Sequence, residues 1–188
     1  MMAKLETVNV RIEGINPGLL MHRFDVVLGS DKKSKKKDIT QTMDDVENYL
    51  YKTQDGIIYE PSSYVIGMLQ NAGAKFQIPG RGKQTYKNLV GSGAVIVIPD
   101  AIPHEYQEYT VDRRAVVVQR QRIVRSRPLF QRWALSFQLE YEVEEIPNEV
   151  LYELLVYGGQ RVGIGDFRPA KGGPFGRFIV TRFEKNAG

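Results

Sequence analysis

The sequence predicts an α+β protein with a ferredoxin-like (RRM-like) β-α-β-β-α-β core, an inserted basic β-hairpin at about 109–130 and a C-terminal glycine-rich loop at 158–177. Three observations predict it. Two segments alternate apolar and polar residues with period two, the signature of strands that bury one face. Two others place apolar residues at helical spacing. Set in chain order and stripped of insertions, these elements with the short strands around them follow the β-α-β-β-α-β plan.

The first strand is read at residues 7–13, where Val8, Val10 and Ile12 alternate with Thr7, Asn9, Arg11 and Glu13. The run GINPG (14–18) ends it. Leu19, Leu20 and Met21 re-enter apolar territory, and Phe24 anchors the loop that follows. The run DKKSKKKD (31–38) sets five lysines within six positions. Like charges with nothing to bury predict a solvated loop. Residues 39–51 read as helical or irregular. Asp55 and Gly56 make a turn, and Ile57, Ile58 and Tyr59 a short strand. Pro61, Ser62 and Ser63 start a helix, with serine oxygens expected to accept orphan N–H groups. Val65, Leu69, Ala72 and Phe76, flanked by Ile66 and Met68, give that helix one apolar face.

A basic loop with Arg81, Lys83 and Lys87 spans 77–87, and AVIVI (94–98) reads as a strand buried on both faces. The hairpin follows, its core at 111–127. Residues 133–143 then alternate most strictly, with Trp133, Leu135, Phe137, Leu139, Tyr141 and Val143 on one side. Pro147 and Asn148 open a second helix whose Val150, Leu151, Leu154 and Leu155 share a face. Gly158 and Gly159 are expected to stop it. The last strand is read at 178–183. No linker marks a second domain, so residues 1–188 are read as one.

Composition narrows the function. With 188 residues and 42% hydrophobic content, the chain can bury a core without a covalent or metal staple. It has no cysteine, which excludes a disulfide scaffold, a thiol nucleophile, a cysteine-ligated zinc and an iron–sulfur cluster. Only His22 and His104 are histidines, which excludes a histidine-rich metal centre. The first residues lack the apolar core of a signal peptide. The longest apolar runs fall far short of the ~20 residues that span a bilayer. The expectation is a cytoplasmic protein with no membrane partner.

The net charge of +4 is unevenly spread. Between Asp112 and Arg132, seven arginines face a single acid, a local balance of +6 that exceeds the whole chain's. Arg113, Arg114, Arg120, Arg122, Arg125 and Arg127 lie in the hairpin. Arg120 and Arg122 have opposite parity to Arg125 and Arg127, so a turn or bulge is needed to gather all four. The glycine-rich loop adds Arg161, Arg168, Lys171 and Arg177, with Phe167 and Phe175 as flat faces. Guanidinium groups hold phosphates through paired N–H donors, and aromatic planes stack on unpaired bases. The chemistry expected of these two elements is binding of single-stranded nucleic acid. Lys83, in the basic loop, is an outlying candidate. The alternatives are a solvated surface hairpin, and a loop whose glycines serve only to turn, with Asp166 and Arg168 as an internal ion pair.

Cofactor and catalytic motifs are not expected. GRGKQT (80–85) lacks the phosphate-loop spacing, and the glycines of 158–165 follow a helix where a dinucleotide turn must follow a strand. His22 and Asp25 are weak candidates for a general acid and a metal-ligating carboxylate. Asp44, Asp45 and Glu47 read as an acidic turn. Glu140, Glu142, Glu144 and Glu145 read as a solvated sheet face or a partner contact.

Two motifs carry a family resemblance. GIIYEPSSYVIG (56–67) resembles the helix entry "G-x-x-Y-I-P-x-S-S-hydrophobic-x-G" of CRISPR-associated RAMP proteins. The stretch from GIG (163–165) to GGPFGRF (172–178) is similar to their glycine-rich loop. Glu60 stands where that entry has a hydrophobic residue, and 188 residues is short for the backbone-forming subunits that the element order most resembles. The resemblance implies a single RAMP-like domain whose hairpin is a basic "thumb". It implies an RNA-binding subunit of antiviral defence that forms a homo-oligomer or filament along the strand, with other effector subunits as further partners. It sets Asp25 nearest to the metal-dependent cleaving aspartate of some members. Phage-borne proteins are similar over the same stretch, which keeps a phage accessory or protein-interaction module of the same fold as an alternative.

Overall fold

A computed structural model of the chain describes residues 4–23, 46–118 and 121–186. Phe24, Asp25, the lysine run 31–38, Asp44, Asp45 and Arg120 lie outside the described residues, as does the side chain of Arg122. The elements in chain order are β1 (Leu5–Gly14), β2 (Leu19–Leu20), β3 (Tyr59–Pro61), α1 (Ser62–Gly73), α2 (Tyr86–Leu89), β4 (Val95–Ile98) and β5 (Ala101–Pro103). After them come β6 (Thr110–Val118), β7 (Gln121–Phe130), β8 (Ala134–Glu142), α3 (Asn148–Tyr157) and β9 (Phe178–Lys185).

The period-two residues of β1 and β8 become facing pairs. Val8 lies opposite Leu139, Val10 opposite Phe137 and Ile12 opposite Leu135, and all six are buried. β4 joins the far side of β8 and β9 the far side of β1, giving an antiparallel sheet of order β4-β8-β1-β9. β1 therefore runs parallel to β4 and β8 parallel to β9, with one strand between each pair. α1 links the first pair and α3 the second. This is an α+β architecture compatible with the ferredoxin-like plan. Both helices supply the apolar face read in the sequence: Val65, Met68, Leu69 and Ala72 from α1, Leu151, Leu154 and Leu155 from α3, all buried in one cluster with the sheet residues. Each of these side chains larger than Ala72 contributes about 1.5–3 kcal/mol by leaving water. Among the described residues no helix is long and apolar enough to cross a membrane.

Several expectations are corrected. β4 is buried on one face only: Val95 and Val97 are inside, whereas Ile96 is 48% and Ile98 42% exposed. It is an edge strand, and the helices cover one side of its sheet. The serines do not cap α1. Pro61 occupies the cap without a side-chain hydrogen bond, and Ser62 Oγ turns to the Asp100 carboxylate while its N–H donates to the Asp100 carbonyl. The short strand before it lies at Tyr59–Pro61 and pairs with β5. Phe76 lies beyond the end of α1. α3 does end at Tyr157 with Gly158 as its C-cap, but the cap stays right-handed. The chain continues through a wide turn, Gly158–Val162, and leaves helical space at Gly163 (φ 70°). What Gly158 provides is closeness: a Cβ there would collide with Met68 Sδ of α1.

Candidate functional site

β6 and β7 pair in an antiparallel arm that sets Asp112 opposite Arg127 and Arg114 opposite Arg125. Strand parity puts these four on one face. Arg113, Ala115 and Val124 take the other, and all three are exposed. At its base β7 continues beside β2, with Leu19 opposite Phe130. β2 lies next to the glycine-rich loop, since Asp166 N–H donates to the Leu20 carbonyl at 2.8 Å. The inward face of the arm is thereby pressed against that loop.

The contact is specific. Arg127 Nη1 meets Asp166 Oδ2 at 2.6 Å, and Asp112 Oδ2 lies 3.9 Å from its other terminal nitrogen. Arg114 Nη2 meets Asp112 Oδ1 at 2.5 Å, and its guanidinium lies 4.6 Å above the Phe175 ring and 5.9 Å from that of Phe167. The two rings are 6.2 Å apart. The Phe167 N–H donates to Asp166 Oδ1 at 2.8 Å. Burial would raise the Asp166 carboxyl, but the Arg127 hydrogen bond and charge, with the Phe167 N–H, hold it below its ordinary value. The loop's own path depends on Gly176, whose φ of 71° is in the left-handed region. A Cβ there would also collide with the Ile164 carbonyl.

Beside this junction lies a cavity of about 220 Å³ between α1 and the glycine-rich loop. Ser63, Tyr64, Gly67 and Asn71 line one wall, and Gly165, Arg168 and Lys171 the other. Arg168 donates to the Gly165 carbonyl at 2.9 Å and keeps further N–H donors; Lys171 is exposed. The Tyr64 hydroxyl lies 3.2 Å from that of Tyr51 and 3.4 Å from the His22 carbonyl. Burial pushes the Tyr64 phenol well above its ordinary value, so it stays a neutral donor. Burial, aided by Arg125 and Arg127 and opposed by Asp166, lowers the His22 imidazole. It is a buried neutral ring at neutral pH. Among the described residues no group of three or more acidic or histidine side chains is gathered as metal ligands.

The structure brings together Arg114, Arg125, Arg127, Phe167, Arg168, Lys171 and Phe175. It gives them unequal exposure. Arg127 and Phe175 are each 3% exposed and hold the junction itself. Arg113 faces outward, Arg161 is exposed on the turn after α3, and Arg177 is half-buried where the loop enters β9. Lys83 sits in the loop beyond the C-terminal end of α1, on the side where Arg81 pairs with Glu145 at 2.8 Å. Asp166 pairs with Arg127 and not with Arg168. The wall residues Tyr64 and Asn71 were not singled out in the sequence, and Ser63 was read only as part of the helix start, although Ser63, Gly67 and Asn71 recur every four residues beside the apolar stripe, and that was a legible signal.

No protein-family model and no curated protein matches the chain. Thirty-six chains of solved structures do. One belongs to a cryo-EM structure of the Type III-B Cmr-beta bound to cognate target RNA. It matches with a TM-score of 0.58 at 11% identity, over 97% of this chain and 61% of that one. The chain thus spans about three fifths of that neighbour's length, and the likeness is one of fold.

Proposed function

We propose that this chain is a RAMP-like domain of ferredoxin-like topology that binds single-stranded nucleic acid, RNA in preference to DNA, without cleaving it, and that copies of it assemble along the strand. One observation carries the reading: the arginine arm and the glycine-rich loop, about 50 residues apart in sequence, meet beside a cavity edged by cations. The neighbouring fold belongs to a subunit of an RNA-bound complex, which favours RNA as the polyanion. In this reading Arg168 and Lys171 hold backbone phosphates at the cavity. Arg113, Arg120, Arg122, Arg125 and Arg161 extend the positive track. Tyr64, Ser63 and Asn71 offer hydroxyl and amide groups to the sugar edge, where the RNA 2′-OH distinguishes it from DNA. Arg127, Asp166, Arg114 and Phe175 fix the arm against the loop.

The test is binding of a labelled single-stranded RNA by fluorescence anisotropy. Arg168→Ala with Lys171→Ala is expected to weaken binding and to lower the slope of log K against log salt by roughly 0.7 for each phosphate no longer neutralised. Charge reversal at Arg120 and Arg122 is expected to weaken binding with the fold intact. Unchanged affinity in both variants overturns the reading.

A further inference from the structure

The main sheet ends on β9, and this edge is open. β9 pairs with β1 and, among the described residues, with no strand on its other side. It contains no proline, so its outer row of N–H and C=O groups is complete and has no ladder to join. Val180 lies opposite Ile12 and Phe183 opposite Val10, so both point to the helix side of the sheet. Ile12 and Val10 are 0% and 2% exposed, whereas Val180 and Phe183 are only half-buried. Beside them Tyr152 of α3 is 42% exposed, its ring 5.2 Å from that of Phe183. These three side chains form the rim of the core, short of the cover that one further strand would give.

An open groove of about 590 Å³ runs between α3 and this edge. Glu149, Tyr152 and Glu153 line its helix wall, and Val180, Arg182 and Phe183 its strand wall. The cations of the strand are already matched: Arg182 meets Glu184 at 2.8 Å and Lys185 meets Glu6 at 2.6 Å. Glu149 and Glu153 have no ion-pair partner among the described residues. The uncompensated charge of the groove is therefore negative. It repels the identical edge of a second copy and attracts a basic segment.

We infer that β9 and α3 receive an extended segment of a partner protein, added to the sheet beside β9, with Lys or Arg side chains set toward Glu149 and Glu153 and apolar ones over Val180, Phe183 and Tyr152. The outer main-chain groups of β9 supply the hydrogen bonds, and side chains of one parity enter the groove and set the specificity. The spacings agree. Four residues of helix set the two glutamates ~6 Å apart along α3, and successive same-face residues of a strand are ~6.7 Å apart. Two neighbouring same-face cations thus meet both carboxylates. No residue of this groove belongs to the arm, the glycine-rich loop or the cavity beside them, so the inference stands apart from strand binding.

The experiment selects from a displayed library of random peptides of about ten residues, with nuclease-treated full-length protein as bait. Recovered peptides are expected to carry Lys or Arg and apolar residues at every second position. The best of them, synthesised with a fluorophore, is expected to bind wild type and to lose about tenfold or more in Glu149→Lys with Glu153→Lys, whose circular dichroism is unchanged. Methylating the peptide's backbone nitrogens at every second residue is expected to abolish binding for one parity and to spare it for the other, since only one edge of an added strand faces β9. A selection that yields no such pattern overturns the inference, and so does equal binding to the double variant or an equal effect of both methylation parities. Sedimentation of the protein alone is expected to be the same for wild type and the double variant. Self-association that differs between them means that a second copy takes the edge, and overturns it. A fall in single-stranded RNA affinity in that variant means that the groove belongs to the strand-binding surface, and overturns it too.

Discussion

Arg127 and Asp166 are the residues on which the site's shape depends. The guanidinium side chain is 4% exposed and the carboxylate 26%, and they meet at 2.6 Å. Removing one partner of a buried pair strands the other, which costs about 3 kcal/mol at the less buried end of such cases. Asp166→Ala is therefore expected to lower the melting temperature by roughly 6–12 °C in a chain of this size. Because the folded carboxyl titrates below its ordinary value of 3.8, its contribution is present above that pH and is lost as pH falls through the folded value. Glu60, packed against His104, behaves oppositely. Both side chains are fully buried, Oε1 and Nε2 are 3.5 Å apart, and neither has another hydrogen-bond partner. Burial raises the Glu60 carboxyl above its ordinary 4.5, against the lowering effect of His104. The stability gained from holding that proton is complete below 4.5 and lost as pH rises through the folded value. Glu60→Leu with His104→Phe is expected to flatten the dependence of melting temperature on pH above 4.5. A double variant with the wild-type slope contradicts this. For Asp25, the non-cleaving reading expects wild type and Asp25→Ala to leave labelled RNA equally intact with magnesium. Cleavage by wild type alone contradicts it.

Among the elements, α1 and the wide turn after α3 are joined through Gly158. Gly158→Val must drive a side chain into Met68 and is expected to destabilise by about 1–3 kcal/mol, read as a drop in melting temperature. Shortening Met68 to Ala in the same chain is expected to recover part of it. These elements also show what the sequence could carry. Alternation in 7–13 and 133–143 specified β1, β8 and their buried faces, because one-sided burial leaves a period-two trace. The amphipathic stripes specified α1 and α3. The role of Gly158 was not legible, because a close approach and a helix stop call for the same residue. Nor was the open face of β4: a run of five apolar residues reads as buried on both sides, and only the sheet order shows which face the helices leave uncovered. The pairing of Asp166 with Arg127 was hidden by sequence distance, while Arg168 stood nearby as an apparent partner.

For the whole molecule, the uneven charge is the fact that organises the rest. Six arginines and one acid between Asp112 and Arg127 make an arm that cannot balance itself. The fold directs its two faces differently, one to the glycine-rich loop, the other outward. The first half of that statement was legible as composition; the second needed the β6–β7 register. The central claim is that arm and loop together hold one polyanionic strand, and its most direct test is the salt dependence of single-stranded RNA binding. If about four to six phosphates are neutralised, log K falls against log salt with a slope near −3 to −4. A binding constant indifferent to salt contradicts the account.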